Sequence, residues 1–360
     1  MNTNIKTLFS CLIFIFGSQI GKAQTPKLIW EINKIDLGTI LEEQGPVTAE
    51  FKFTHTQDSI FVIEKVYTDC GCTTVDFTQD SLKVGEKGSV IVSLDPSSAA
   101  GFFSRMIVVK GNLAGTSDTL FIEGTAIPYP QNPELEYPKK QQGVGFRLDK
   151  VNMGDVFTNE PKIKEIEFYN FSKKTLNSKQ FQYKGPEHIQ LSMEYDSVRS
   201  NERGILKLAY YGDKKNDLGF FEDQFQFSFR DGEEISLEII ANIFEYFPPF
   251  SREELGSVAN LSISPVEIDL KEIPANEILN KTVSLTNKGK EILEIRKVQG
   301  NCNCLTLSLP KTQINPGETV ELQITFDPKG RKGIDQRNIY IFSNDPLNPV
   351  QSLILKSRVK

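Results

Sequence analysis

The stretch IEKVYTDCGCT (residues 63–73) returns 232 positions later as IRKVQGNCNCL (residues 295–305), and this repetition indicates how the chain is organised. The same offset holds without a gap from Ile63 to Asn112. It pairs Gly85-Glu86 with Gly317-Glu318, Asp95-Pro96 with Asp327-Pro328, and Gly101, Arg105 and Asn112 with Gly333, Arg337 and Asn344. A constant period of this kind is the signature of tandem structural repeats.

Half of that offset identifies a third copy in the middle of the chain. The segment IDLGTI (residues 35–40) resembles VNMGDV (residues 151–156), which lies 116 positions later. Further on, Phe168-Tyr169-Asn170 aligns with Leu285-Thr286-Asn287. The middle copy has no Cys-x-Cys pair. We therefore expect it to keep the scaffold and to lack whatever the cysteines do.

Apolar residues alternate with polar ones inside each copy. Examples are Leu322, Ile324 and Phe326, and also Phe225, Phe227 and Phe229. A period of two predicts half-buried β-strands, whose apolar side faces a second sheet. About seven such strands in roughly 100 residues are typical of an immunoglobulin-like sandwich. The predicted fold class is therefore all-β, with three tandem immunoglobulin-like β-sandwich domains after a signal peptide.

Proline clusters mark the junctions between the copies, since proline-rich segments form short, stiff linkers. The predicted organisation is a signal peptide over residues 1–23, a first repeat with Cys-x-Cys over 24–128, a linker over 129–142, a second repeat without cysteine over 143–247, a linker over 248–258 and a third repeat with Cys-x-Cys over 259–360.

The first residues have the three parts of a secretory signal. Lys6 precedes the apolar run Leu8–Phe16, and the small residues Gly21 and Ala23 permit cleavage before Gln24. The apolar run is shorter than the roughly 20 residues that span a bilayer. We expect an exported protein, periplasmic or extracellular at the cell surface, without a transmembrane segment in the mature chain.

Composition limits the possible functions. The chain has 41 basic and 47 acidic side chains and a formal net charge of −6, which makes nucleic acid an unfavourable partner. It contains two histidines and none of the motifs of serine hydrolases, nucleotide-binding loops or zinc hydrolases. These features predict a non-enzymatic protein.

The two Cys-x-Cys pairs are the residues that indicate chemistry. In an extended strand, positions i and i+2 are about 6.6 Å apart, too far for a disulfide, whose Cβ atoms lie about 3.8 Å apart. A bridge within a pair therefore needs a turn, which Gly71 and Asn303 both permit. Bridges between the first and third repeats are disfavoured, because they would have to reach around a middle domain.

Three interpretations of Cys70, Cys72, Cys302 and Cys304 stay open. The pairs form local structural disulfides or buried thiols, as cysteines of exported proteins usually do. Alternatively they bind a soft metal, with Cu(I) favoured by paired thiolates. The third possibility is a redox-active pair that exchanges with other thiols. We predict no cofactor, with copper as the alternative.

The residues Cys70-Gly71-Cys72-Thr73, the Gly-Glu turn and the later Asp-Pro resemble a secreted bacterial family, the domain-of-unknown-function family fifteen seventy-three, which is related to abnormal-spindle and hydin modules. The resemblance covers the first and third repeats and extends weakly to the second. The third repeat departs from the motif at Asn303-Cys304-Leu305. The resemblance implies an immunoglobulin-like fold and an envelope location, and it implies no activity.

These observations together predict an exported envelope protein that acts as a scaffold or as a binding module. The expected partner is an envelope protein or a glycan, bound by a sheet edge or an aromatic patch. The alternative is a Cu(I)-binding or thiol-redox protein that uses the Cys-x-Cys pairs.

Overall fold

The computed structural model describes residues 28–360 apart from Ala114, Thr116, Asp231 and residues 252–255. The predicted signal peptide, residues 1–23, lies outside the described residues, as does part of the second predicted linker. The chain is nearly all β and divides into two compact units, one that ends at Pro130 and one that runs from Gln131 to Lys360. None of the described helices has the length and apolar character needed to cross a membrane.

The first unit is a sandwich of two four-stranded sheets, in the orders β1-β3-β6-β5 and β2-β8-β7-β4. The strands are β1 Leu28–Trp30, β2 Lys34–Leu41, β3 Val47–His55, β4 Ile63–Thr68, β5 Thr73–Phe77, β6 Lys87–Leu94, β7 Gly101–Gly111 and β8 Ser117–Ile127. Short 3₁₀ turns occupy Glu42–Gln44 and Pro96–Ser98.

The second unit contains two sandwiches, which we call the second and third sandwiches in chain order. The second sandwich begins with the short helix α1, Pro133–Glu136. Its main sheets have the orders β15-β17-β12-β10-β9 and β11-β19-β18-β14. The strands are β9 Lys139–Gln141, β10 Val144–Phe146, β11 Lys150–Phe157, β12 Lys162–Asn170, β13 Leu176–Asn177, β14 Gln182–Lys184, β15 Ile189–Met193, β16 Ser197–Val198, β17 Arg203–Tyr210, β18 Gly219–Ser228 and β19 Glu234–Phe244. A 3₁₀ turn at Ser178–Gln180 and helix α2, Gly212–Lys215, connect them.

The third sandwich has the sheets β20-β22-β26-β24 and β21-β28-β27-β23-β25. The strands are β20 Leu261–Ser264, β21 Glu267–Ile273, β22 Leu279–Asn287, β23 Leu293–Gly300, β24 Leu305–Ser308, β25 Gln313–Ile314, β26 Thr319–Phe326, β27 Gly333–Ser343 and β28 Val350–Val359.

All three sandwiches share one topology. In each, an early strand pairs in parallel with the last strand of the sandwich: β2 with β8, β11 with β19 and β21 with β28. The remaining pairings within the main sheets are antiparallel. The middle copy, which lacks the cysteines, therefore keeps the scaffold. The prediction of tandem β-sandwich domains is confirmed, and its immunoglobulin-like relation stays a prediction.

The cores follow the alternation of the sequence. Along β19 every second side chain from Ile235 to Ile243 is buried, and along β6 the same holds for Val90, Val92 and Leu94. Phe225 and Phe227 on β18 and Phe229 directly after it are at most 2% exposed, because these alternate positions face the opposite sheet. Each sandwich encloses its own apolar core.

Part of the first predicted linker folds as part of the second sandwich. Part of residues 129–142 forms α1 and β9, and β9 pairs with β10 in the second sandwich. Tyr137 is fully buried, and its hydroxyl donates a hydrogen bond to Glu167. The buried Arg203 donates to the same carboxylate at 2.9 Å. Burial and the neighbouring Glu167 raise the pKa of Tyr137 above its ordinary value, so the phenol stays protonated and anchors this segment.

Candidate functional site

Each Cys-x-Cys pair lies in the turn that carries the chain from one sheet of its sandwich to the other. The first turn joins β4 to β5, and the second joins β23 to β24. Disulfides link Cys70 to Cys72 and Cys302 to Cys304, and the Cα atoms are 5.2 Å apart in both. This separation is shorter than in an extended strand, so the chain bends within the pair, as the spacing argument requires.

Matching hydrogen bonds hold the two turns. In the first, the amide of Thr73 donates to the carbonyl of Cys70 at 3.3 Å, and the amide of Asp95 donates to Cys72 at 3.0 Å. In the third sandwich, Leu305 donates to Cys302 at 3.3 Å and Asp327 donates to Cys304 at 2.9 Å. The Asp-Pro dipeptide of the repeat therefore has a specific role, since its aspartate amide secures the second cysteine.

The residue before each pair ties the turn to the neighbouring strand. The Asp69 amide donates to the Met106 carbonyl at 3.3 Å, and the Met106 amide donates back to the Asp69 carboxylate at 3.1 Å. Asn301 and Asn338 form the same reciprocal pair, at 3.0 and 3.2 Å. Asp69 and Asn301 thus replace a ladder pair at the point where the strand leaves its sheet.

The two turns differ in their immediate supports. The hydroxyl of Thr68 donates to the Cys70 carbonyl at 3.1 Å, whereas Gly300 occupies the equivalent position in the third sandwich. A side chain on Gly300 would meet Leu305 at 2.8 Å, so this glycine allows Leu305 to pack close to the strand end. All four cysteines are half-buried. Of the possible connectivities, the structure has the local one.

The described residues contain no group of three or more His, Cys, Asp and Glu side chains placed to bind a metal ion. In the disulfide state the four sulfurs are bonded in two separate pairs, one in each turn. Reduction would leave two sulfurs within each turn, which is the arrangement that Cu(I) binding or thiol exchange would use.

A cluster of four ionisable side chains in the second sandwich has no counterpart in the sequence motifs. Asp223 accepts hydrogen bonds from Tyr210 at 2.7 Å and Lys215 at 2.6 Å, and it lies 3.1 Å from the His188 ring. Burial outweighs the carboxylate and lowers the pKa of His188. Burial alone would raise the pKa of Asp223, but its hydrogen bonds lower it overall. The cluster joins the ends of β15 and β17 to β18, where side chains distant in sequence meet.

The other histidine also has a structural position that sequence spacing did not reveal. His55 lies opposite Leu28 in the strand pairing, as Asn170 lies opposite Val144 and Asn287 opposite Leu261. All three polar side chains are fully buried, and His55 contacts the Ser59 carbonyl at 2.6 Å. One buried polar position near the end of a central strand is therefore common to the three sandwiches.

The outer face of the first sandwich carries contiguous apolar side chains, here called the outer patch: Tyr67, Met106, Val108 and Phe121. In the strand registers Tyr67 lies opposite Val108, and Met106 opposite Phe121. Tyr67 and Met106 are each 41% exposed and Phe121 is 39% exposed. The ammonium groups of Lys65 and Lys110 lie 4.7 and 5.0 Å from the centre of the Tyr67 ring.

A comparison with curated protein sequences finds no match. Among solved structures, a protein of unknown function from Porphyromonas gingivalis W83 is 16% identical, with a TM-score of 0.44, over 60% of this chain and 99% of that one. The endo-fucoidan hydrolase MfFcnA4 from glycoside hydrolase family 107 is 12% identical, with a TM-score of 0.25, over 94% of this chain and 45% of that one. An ASH/PapD-like domain of human CEP192 is 11% identical, with a TM-score of 0.25, over 32% and 93%. Similarities of this size carry no conclusion about function.

The family model described as a protein of unknown function, DUF1573, matches residues 28–126 and 261–359. These two ranges cover more than half of the chain, and each contains one disulfide-closed Cys-x-Cys turn. The two matched ranges therefore correspond to the two copies of the sequence repeat that carry a Cys-x-Cys turn. This chain belongs to the DUF1573 family, with one family domain in its first sandwich and another in its third.

Proposed function

We propose that this chain is an exported, non-enzymatic envelope protein that acts as a scaffold and binding module. The leader-like N-terminal sequence supports export, and the disulfides suit an oxidising compartment. The observation that carries the binding function is the outer patch. Contiguous exposed apolar side chains on three adjacent strands are typical of an interaction surface.

The partner of the outer patch is proposed to be an envelope protein or a glycan. A tyrosine ring offers a flat apolar surface, and the ammonium groups of Lys65 and Lys110 beside it attract carboxylates. An apolar protein surface with acidic groups fits this arrangement, and so does an acidic sugar. In this proposal the disulfides fix the shape of the turns beside the sheets and do not take part in chemistry.

The experiment is a capture from solubilised envelope with the mature chain, whose intact mass should correspond to a first residue of Gln24. The combined change Tyr67→Ser, Met106→Ser and Phe121→Ser should abolish the capture of partners, because it removes the apolar contact area. Ile334→Ser is the control, since Ile334 is 82% exposed in the third sandwich and lies outside the patch. Equal capture by the triple variant and the wild type would contradict the proposal.

The second candidate function is Cu(I) binding or thiol–disulfide exchange. It is favoured by the partial exposure of the cysteines and by the close approach of the two positions in each turn, with Cα atoms 5.2 Å apart. It requires reduction of the disulfides, because thiolates are the metal ligands and the nucleophiles.

A further inference from the structure

The second and third sandwiches meet through an unusual pair of hydrogen bonds. The side-chain carboxamide of Gln299, on β23, accepts from the Phe220 amide at 2.9 Å and donates to the Phe220 carbonyl at 3.1 Å. The Phe220 ring packs against Tyr340, with the ring centres 4.6 Å apart. A carboxamide has the same donor and acceptor as a peptide group, so Gln299 occupies the place of one residue of a strand beside β18.

Among the described residues, no strand continues along β18 from the position that Gln299 occupies. On one side, β18 pairs with β19 along its whole length. On the other side, β14 pairs only with Gln226–Ser228. In the described part of the chain, no strand pairs with this edge of β18 between Phe220 and Gln226. An open edge presents backbone donors and acceptors to any extended chain that reaches it.

The orientation of the backbone shows where the open positions lie. In an antiparallel pair, every second residue directs both its N–H and its C=O away from the partner strand. Phe220 directs both groups to Gln299 and hence away from β19. Glu222 and Gln224 have the same phase along β18. Their amides and carbonyls therefore face the open edge, next in line after the position that Gln299 fills.

A cleft of about 590 Å³ lies at this point. Phe220 and Glu222 of β18 line it, together with Gln299, Tyr340 and residues 300–303, which include the first cysteine of the Cys-x-Cys turn in the third sandwich. Backbone groups repeated at every second residue match the spacing of a peptide and have no equivalent in a sugar chain. The aromatic rings of Phe220 and Tyr340 offer apolar contact for a side chain.

We propose that this cleft binds an extended peptide segment of a partner protein, which adds a strand to β18 at Glu222 and Gln224. The inference rests on the proposed binding function and gives that function a second surface, lined in part by the Cys-x-Cys turn of the third sandwich. In the first sandwich, Tyr67 occupies the position equivalent to Gln299. A tyrosine has no carboxamide, so it cannot imitate a peptide group beside a strand as Gln299 does. The mode of recognition is strand addition.

The test uses a phage-displayed library of random eight-residue peptides, selected on the full mature chain. Peptides that bind the wild type should bind Glu222→Pro about tenfold or more weakly, because proline removes the edge-facing N–H. Proline is tolerated at an edge whose N–H is outside the ladder, so β18 and β19 should stay paired. Glu222→Ala is the matched reference, since it also removes the side chain but keeps the amide, and Glu222→Pro should bind these peptides at least about tenfold more weakly than Glu222→Ala does.

A second measurement does not depend on how Glu222→Pro folds. N-methylation of alternate amides of a selected peptide should abolish binding to the wild type in one phase and be tolerated in the other, because only one phase faces β18. Failure to select any peptide, equal affinity for Glu222→Pro, or equal effects of the two methylation phases would each overturn the inference. Capture through the outer patch is measured separately, so either surface can fail alone.

Discussion

At the residue scale, the Cys-x-Cys turns are built from few interactions, and these are nearly the same in both copies. The reciprocal hydrogen bonds of Asp69 with Met106 and of Asn301 with Asn338 place each turn relative to β7 or β27. The aspartate and the asparagine are interchangeable here, because the role needs only one side-chain oxygen that accepts from a backbone amide. Gly71 and Asn303 are likewise interchangeable as turn residues.

The combined change Cys70→Ser and Cys72→Ser should destabilise the first sandwich by about 1–2 kcal/mol, since a loop this short restricts the unfolded chain only slightly. The measurement is native-state hydrogen exchange of peptides from β4 and β5. Cys302→Ser with Cys304→Ser is the matched control and should act only on the third sandwich. Non-reducing peptide mapping should find no link between the two domains.

The same variants separate the two candidate functions. If the pairs bind copper, the reduced wild type should hold about one Cu(I) per pair and the double variants none at their changed pair. A double variant that keeps full stability but loses Cu(I) or thiol-exchange activity would favour the second candidate function over the structural role.

At the element scale, one bulge recurs in the strand that pairs in parallel with the last strand of each sandwich. The amides of Gly38, Gly154 and Lys271 each donate to the side-chain oxygen of the residue two positions earlier, at 2.8, 2.8 and 2.9 Å. Their φ angles are 66°, 64° and 60°. Glycine adopts this left-handed conformation without cost, whereas lysine does not.

Lys271→Gly should therefore stabilise the third sandwich by about 1 kcal/mol, because it removes the penalty of a left-handed lysine. The ion pair of Lys271 with Asp269 would be lost, but the Lys271 side chain is 81% exposed and the pair contributes little. Hydrogen exchange of β21 and β28 measures the change.

Gly38→Ala is the opposite control in the first sandwich. A Cβ atom on Gly38 would meet no atom within 4 Å, so only the backbone angle opposes the change. We expect a loss of about 1 kcal/mol in the first sandwich. A stabilising effect of Gly38→Ala, or a destabilising effect of Lys271→Gly, would show that the bulge conformation does not determine the result.

At the scale of the whole molecule, the division at Pro130 and the contacts within the second unit predict different behaviour at the two junctions. The second and third sandwiches are joined by the hydrogen bonds of Gln299 and by ion pairs of Lys297 with Asp217 at 2.8 Å and of Arg296 with Glu245 at 2.9 Å. The segment 133–141 packs on the second sandwich through the buried Tyr137.

Brief digestion with a broad-specificity protease should cut first near residues 128–132 and near 248–258, since exposed connections are the preferred sites of cleavage. After the second cut, the two fragments of the second unit should still elute together in size-exclusion chromatography. Gln299→Ala should weaken that association, and Gln224→Ala is the control outside the contact. A first cut within residues 133–141, or rapid loss of β-rich fragments, would contradict this organisation.

The number of repeats, the all-β fold and the core positions could all be predicted from the amino-acid sequence. Period and alternation are local properties: a strand places residues i and i+2 on one face, so Phe225, Phe227 and Phe229 had to be buried together. The bend in each Cys-x-Cys pair followed from the same geometry. The paired turns were therefore predictable, with their oxidation state left open.

The contacts between residues that are distant in the sequence could not be predicted in this way and depend on the tertiary fold. Strand registers bring His188 to Asp223 and give His55, Asn170 and Asn287 their shared buried position. The hydrogen bonds of Gln299 with Phe220 depend on the docking of one sandwich against another. No local period encodes such registers, because they are selected by the packing of whole sheets. The open edge of β18 also depends on such registers. It lies between the end of the pairing with β14 and the position at which Gln299 of the third sandwich contacts Phe220.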